Sequence, residues 1–519
     1  MLVNTTHRKL VLNLSSPDRV TNVIPTAQKF MFKGHELVAV PHRLEEVRVL
    51  RNLGFDAPSP VAYHYRWSGQ YKPFKAQYAT TAFLTINPRA YVLNDMGTGK
   101  TLATLWAYDF LRAEGLVKKM LVVCPLSTME RTWADEIFKH FPHLRTAVLY
   151  GSRDRRLRLL KQDVDIYLVN HDGVQTIANE LRAMQGLDVV VLDEAAVYRN
   201  ASTVKWKTMR SITFNTPYLW ALTGTPIPNS PTDAWGICRM VNPSTVPPSF
   251  GKFRDIVMRQ LGQFRWLVRE NAIETVHKAM QPSICFNRSD CIDLPPCTYV
   301  DRQVPLTAEQ MKSYKQMHTT LLAEHNNGQT VTAVNEAVKV QKLVQIACGV
   351  VYDTSGDDVV LDNNPRLQEI RDVVDNANSK VIVFVPFKGV LRNVAEQLAA
   401  AGYSVGVISG DVSKTQRDDI FDRFQNTSWH SAHGIDVLVA QPAAMSHGLT
   451  LTAASVVAWF APITSNEIYQ QANARITRPG QVHNQLIVHI EGTALERKMY
   501  ARLQAKQTMQ GLLLDAVHD

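Results

Sequence analysis

Between Leu93 and Thr101 the sequence reads LNDMGTGKT, and its last five residues join two glycines and Thr98 to a lysine and a second hydroxyl. Gly97 and Gly99 let a strand-to-helix turn curl tightly enough to aim backbone N–H groups at an anion, with the positive end of the next helix behind them. Lys100 can then reach the β and γ phosphates of a nucleotide, and the Thr101 hydroxyl can ligate Mg²⁺. The stricter form of this pattern has a glycine where Asn94 stands. A cradle of main-chain N–H groups does not need that glycine, so the chemistry survives the exchange.

A second cluster reads VVVLDEAA, Val189 to Ala196, and places Asp193 and Glu194 at the end of a strongly apolar run. An acidic pair there is what hydrolysis needs: Asp193 can hold Mg²⁺ through water while Glu194 orients or deprotonates the attacking water. A kinase for small metabolites would carry the loop but have little use for Glu194. ATP hydrolysis therefore fits the two clusters better than phosphoryl transfer to a metabolite.

These residues need a parallel sheet to position them. RAYVLND, KKMLVVCP, VDIYLVN, LDVVVLDE and YLWALTG are short runs rich in Val, Leu and Ile, separated by stretches long enough for crossover helices. The rhythm returns in SKVIVFVP, YSVGVIS, GIDVLVAQ, SVVAWF and QLIVHI. Two α/β blocks in tandem are expected. Proline breaks and amphipathic stretches such as TAEQMKSYKQMHTTLLAEH predict a helical insertion between them, not a third sheet. The first seventy or so residues predict a small unit of their own, with strand HELVAVP and helix RLEEVRVLRNLG.

Composition narrows the partners. A length of 519 residues allows roughly two to four domains, and 45% hydrophobic content is that of a folded globular chain. The net charge of +9 favours polyanionic partners. The six cysteines show no C-x-x-C pair, so reduced structural thiols are expected, without a metal cluster. No apolar run is long enough to span a membrane, and the first residues lack the apolar core of a signal peptide, which predicts an intracellular protein.

Four motifs in order, LNDMGTGKT, LVVCPLSTMERTWADEIFKHF, VVVLDEAAVYRN and ALTGTPIPNS, resemble the first motor domain of Swi/Snf-type ATPases, a branch of the superfamily-two helicases. The missing first glycine is then a family trait. The resemblance implies two RecA-like domains, ATP with Mg²⁺ as cofactors, and DNA as partner, double-stranded or branched and contacted through its phosphate backbone. It implies that Gln77 reads adenine and that TGTP, Thr223 to Pro226, couples hydrolysis to domain closure. Ala196 stands where many relatives carry histidine, which puts the detail of that coupling in question.

YQQANARITRPGQ resembles the last motif of the family through Gln471, Arg475, Arg478, Gly480 and Gln481. In motors of this kind, arginines of the second domain neutralise transition-state charge on the nucleotide. Their spacing of three would place both guanidinium groups on one helical face. The stretch before it, AMSHGLTLTAASVVAWF, resembles the preceding motif with Thr450 in place of asparagine. Thr128, Gly410, Arg417, Ser446 and Gly448 are the candidate backbone contacts to nucleic acid.

The resemblance covers about Pro73 to Leu503, and its compactness is that of bacteriophage or bacterial members, which implies a cytoplasmic enzyme acting as a monomer. The expected division is 1–72 as an accessory domain, 73–229 as the ATP-binding domain, 230–365 as the helical insertion and 366–519 as the second RecA-like domain. The function implied is an ATP-dependent translocase on double-stranded DNA that remodels protein–DNA complexes or branched DNA. A strand-separating DNA or RNA helicase is the alternative, and intact Lys100, Thr101, Asp193, Glu194, Arg475 and Arg478 disfavour an idle DNA-binding scaffold.

Overall fold

The computed structural model describes residues 1–505 except 225, 228–229, 262–265, 292–294, 327–332, 353–357, 446–449 and 479; the side chains of 318–340, 351–352, 358 and 414 are not described. The chain divides into two compact units, the first running to Cys291 and the second following it.

The first unit opens with strands β1 (Leu2–Asn4), β2 (Lys9–Asn13), β3 (Gln28–Phe32) and β4 (His35–Pro41), an antiparallel sheet in the order β1-β2-β4-β3, followed by the helix Leu44–Asn52. A parallel sheet follows, built from β5 (Arg89–Val92), β6 (Lys119–Cys124), β7 (Thr146–Leu149), β8 (Ile166–Asn170), β9 (Leu187–Asp193) and β10 (Tyr218–Leu222). Beyond the short hairpin β11 (Met258–Gln260) and β12 (Trp266–Val268), β13 (Ser283–Ile284) completes it in the order β13-β5-β10-β9-β6-β8-β7.

The apolar runs are continuous because this sheet is covered on both sides. Val122, Val189, Val191 and Leu222 enter one core, while their chain neighbours Leu121, Val123, Val190 and Ala221 enter the other. Full burial of each such side chain contributes about 1.5–3 kcal/mol, so a slip of register would be costly. The first core also takes in Leu10, Leu12, Val38, Val40, Val47 and Leu50. Residues 1–72, expected as a separate accessory domain, therefore share a core with the first parallel sheet. Arg48 fastens the join, donating from Nε to the Ile86 carbonyl at 2.8 Å and from a terminal nitrogen to the Tyr218 hydroxyl at 2.9 Å.

The second unit contains β14 (Cys297–Gln303), the hairpin β15 (Val350–Tyr352) and β16 (Asp358–Val360), then β17 (Lys380–Phe384), β18 (Val405–Ile408), β19 (Val437–Ala440), β20 (Ala454–Trp459) and β21 (Gln485–Glu491). Its parallel sheet runs β14-β21-β20-β17-β19-β18, again with alternate residues in two cores. The two-block α/β architecture expected from the sequence is present.

Residues 230–365 differ from a plain helical insertion. They supply the helices Ala234–Val241, Phe250–Val257, Ala272–Ala279, Ala308–Asn326 and Ala333–Cys348, but also β13 to the first sheet and β14 to the second. β14 is largely exposed, so it lacks the apolar run that marks an interior parallel strand.

Among the described residues no helix is long and apolar enough to cross a membrane. Among the described residues no cysteine forms a disulfide, Cys124, Cys238, Cys285 and Cys348 are buried, and no group of three or more His, Cys, Asp or Glu gathers for a metal.

Candidate active site

Register brings the distant motifs of the first unit to one edge. Leu222 on β10 pairs with Val92 on one side and with Asp193 on the other, so the loops that follow β5, β9 and β10 leave the sheet side by side. The carboxyl ends of parallel strands are where α/β sheets bind ligands, because the loops there are free to vary while the strands hold them.

After β5, Gly97 and Gly99 take left-handed φ values of 84° and 71°, and Gly99 caps the helix Lys100–Ala113. Lys100 Nζ donates to the carbonyls of Asn94 at 2.8 Å and Asp95 at 2.9 Å, and Thr98 donates to the Asp95 carbonyl at 2.7 Å. The ammonium thus folds back over its own loop, held by neutral acceptors that a phosphate would outcompete. Thr101, the second residue of that helix, is half-buried.

Asn94 is buried, and its Nδ2 donates to Thr80 Oγ1 at 2.9 Å. This side chain ties the start of the loop to the helix Lys75–Ile86, a task glycine could not perform. Gln77 lies on that helix, its Oε1 accepting from the Phe74 N–H at 3.2 Å and its Nε2 facing the Gly99 carbonyl at 3.4 Å. A Cβ at residue 99 would lie 2.1 Å from Gln77 Nε2. Gly99 is therefore favoured by its backbone angle, and a side chain there would also push the Gln77 amide aside.

At the end of β9, Trp133 Nε1 donates to Asp193 Oδ2 at 2.9 Å, and the Glu194 N–H donates to Asp193 Oδ1 at 3.2 Å. Burial pushes the Asp193 carboxyl above its usual range, opposed by the Trp133 bond, the nearby Lys100 charge and the Glu194 N–H. Trp133 is fully buried and sits in the π-helical turn Met129–Ala134, a wide turn of the kind that often marks functional sites. Sequence reasoning missed it: the motif was visible, but nothing in MERTWADE says which residue bonds to an aspartate sixty positions away. Glu194 itself adopts φ 53°, a left-handed conformation that strains a non-glycine residue by about 1–3 kcal/mol and recurs at functional sites.

After β10, the buried Thr223 donates its N–H to the Val92 carbonyl at 3.0 Å, and Gly224 comes so close to the phosphate loop that a Cβ there would be 3.5 Å from the Asn94 oxygen. Ala196 is buried.

In the second unit the arginine pair departs from the expected geometry. The helix Asn466–Asn473 ends before Arg475, so the two guanidinium groups do not share a helical face. Asn473 is engaged by Trp459, whose Nε1 donates to its Oδ1 at 2.8 Å, and Pro479 disfavours helix at the residue before it. Arg475 is buried, whereas Arg478 is half-buried with Nε donating to the Ala474 carbonyl at 3.1 Å. Gln471 is buried with Nε2 facing Glu467 Oε1 at 3.4 Å, and Gln481 bonds the carbonyls of Ala454 and Ile476. Gly480 takes φ 93°.

Of the candidate nucleic-acid contacts, Gly410 and Arg417 meet at the loop after β18. The Gly410 N–H donates to Gln441 Oε1 at 3.2 Å, and Arg417 donates to the Ser409 carbonyl at 3.3 Å. Thr128 is buried, its hydroxyl donating to the Pro125 carbonyl at 3.0 Å. Ser446 and Gly448 lie outside the described residues.

The first unit thus offers backbone N–H groups, an ammonium, a hydroxyl and two carboxylates at one sheet edge. Thr101 and Asp193 carry hard oxygen donors of the kind Mg²⁺ would take, and such an ion would neutralise phosphate charge there. Lys100→Ala is expected to lower ATP turnover about a hundredfold or more with the fold intact, since Gly97 and Gly99 shape the turn through their own backbone angles and the loss of two bonds to loop carbonyls leaves the sheet core untouched. Turnover and circular dichroism on one preparation check this; near-normal turnover would place the nucleotide elsewhere.

Comparison with known proteins gives matches to two family models, the SNF2-related domain over residues 87–348 and the helicase conserved C-terminal domain over residues 365–480. The protein p41 of Acyrthosiphon pisum secondary endosymbiont phage 1 is 25% identical over 454 residues, covering 83% of this chain and 95% of that protein. The ATP-dependent helicase MG018 of Mycoplasma genitalium is 26% identical over 433 residues, covering 82% of this chain and 40% of the helicase. The SWI2/SNF2 ATPase core of Sulfolobus solfataricus, solved in complex with dsDNA, aligns with a TM-score of 0.41 at 22% identity over 87% of this chain and 95% of that one.

Proposed function

This chain belongs to the SNF2-related family, and from that premise we propose that it is an ATP-dependent motor that moves on double-stranded DNA and remodels protein–DNA complexes or branched DNA. The observation that carries the ATPase half is the gathering of Lys100, the Asp193–Glu194 pair and Gly224 at one sheet edge although these three places are far apart in sequence. Family membership and the helicase name of the Mycoplasma relative support the nucleic-acid half.

The same proposal assigns each residue a role. The Gly97–Thr101 turn binds phosphates, with Thr98 closing the loop and Gln77 beside it for the base. Asp193 and Thr101 hold Mg²⁺, and Glu194 directs water. Gln471, Arg475 and Arg478 belong to the unit that makes hydrolysis respond to DNA. Gly410 and Arg417 contact the phosphate backbone, which gives affinity without reading bases and suits movement along any sequence. Such a motor works as a monomer in the cytoplasm, or in the host cytoplasm if it comes from a phage.

ATP turnover measured with duplex DNA, single strands and RNA tests this, together with displacement of a third strand from a triplex. Stimulation by duplex and displacement without strand separation are expected. Stimulation by RNA or single strands with unwinding would replace the translocase by a strand-separating helicase, and no stimulation by any nucleic acid would remove the motor.

A further inference from the structure

The N-terminal sheet has two chemically different faces, and only one is used by the core. Register places Leu10, Leu12, Val38 and Val40 on the inner face, all buried. The outer face carries Leu2 and Asn4 from β1, Lys9, Val11 and Asn13 from β2, Gln28, Phe30 and Phe32 from β3, and His35, Leu37, Ala39 and Pro41 from β4. None of these twelve residues is acidic, whereas Glu36 and the Lys29–Asp18 ion pair belong to the other side.

The outer face is apolar and exposed at its β1 and β3 edges, whereas Ala39 in β4 is buried. Phe30 is 37% exposed, Phe32 55% and Leu2 65%, and none of them joins a hydrophobic core. At the tip of the β3–β4 hairpin, Lys33 and Gly34 take φ values of 46° and 80°, the left-handed pair of a tight hairpin turn. That turn sets Lys33 Nζ 5.6 Å from the centre of the Phe32 ring. Residues 1–72 carry ten lysines or arginines against five acidic residues.

Aromatic rings beside cations and amides, with carboxylates excluded, suit a flexible polyanion that offers flat apolar groups. Duplex DNA keeps its bases stacked inside and presents only phosphates and groove edges. A single strand presents both phosphates and bases. Phe30 and Phe32 lie two residues apart on one strand, about 7 Å, so each ring can take a separate base. We propose that this face binds single-stranded DNA, with Phe30 and Phe32 as stacking platforms and Lys9 and Lys33 on the phosphates. The site stands apart from the ATP site and does not rest on the motor function proposed above.

The test measures binding of a labelled oligothymidylate to the full chain by anisotropy, without nucleotide, for wild type and for the double variant Phe30→Ala, Phe32→Ala. Loss of two stacking contacts is expected to weaken single-strand binding about tenfold or more, and Phe30→Trp with Phe32→Trp to retain it. Lys9→Ala with Lys33→Ala should flatten the salt dependence of binding. ATP turnover stimulated by duplex DNA should stay within about twofold of wild type in the phenylalanine variants, since these side chains lie outside the core. Unchanged oligothymidylate affinity in the alanine pair overturns the proposal. So does sedimentation showing that the wild type self-associates and the alanine pair does not, because the face would then receive a second copy. Absence of any DNA-stimulated turnover in the wild type would remove the motor and leave this site standing.

Discussion

Arg478→Ala is expected to lower duplex-stimulated ATP turnover about a thousandfold or more while leaving ATP affinity nearly unchanged. A guanidinium supplied to a transferring phosphoryl group is worth roughly 10³–10⁵ in turnover in related chemistry, because its charge matters most as the bond breaks. Arg478 belongs to the second unit, whereas Lys100, Thr101 and Asp193 belong to the first, so nucleotide binding should survive its loss. It is a cleaner target than Arg475. The latter is buried, and truncating it would leave a cavity among packed groups and confound stability with catalysis. Hydrolysis with and without duplex DNA in one Arg478→Ala preparation decides the matter: preserved stimulation means that the second unit contributes no charge to the reaction.

Glu194→Gln should trap ATP. The amide keeps the size of the side chain and loses the carboxylate, so the attacking water loses its base or orienting group at a cost of about 10²–10⁴ in turnover. Asp193 keeps its bond from Trp133 and the one from the residue-194 N–H, because neither involves the altered group. Binding of a fluorescent ATP analogue should therefore remain near wild type. If affinity disappeared together with turnover, Glu194 would be holding the metal or the strained turn instead of the water.

What the sequence revealed follows from what each residue's signal depends on. The phosphate loop and the acidic pair were legible because their chemistry is local, set by residues within a few positions. Interior strands were legible because burial on both faces demands unbroken apolar runs. β7, β13 and β14 escaped, and each is a sheet edge: β7 alternates, β13 spans two residues, and β14 is mostly exposed. The arginine pair misled because a spacing of three implies one face only where the helix continues. Trp133 was hidden for a different reason, since its bond to Asp193 exists only after two loops from distant strands are brought together.

The core shared between residues 10–50 and the first parallel sheet also has a consequence for how the protein is made. The inner side of the N-terminal sheet is synthesised well before Trp220 and Leu222, which belong to the same core. At a synthesis rate of roughly 5–20 residues per second, the nascent chain carries that core incomplete for about 10–30 s. Throughout that interval it is a natural client for a ribosome-associated chaperone, and a translational pause after residue 50 would prolong the exposure without changing a single contact of the finished protein.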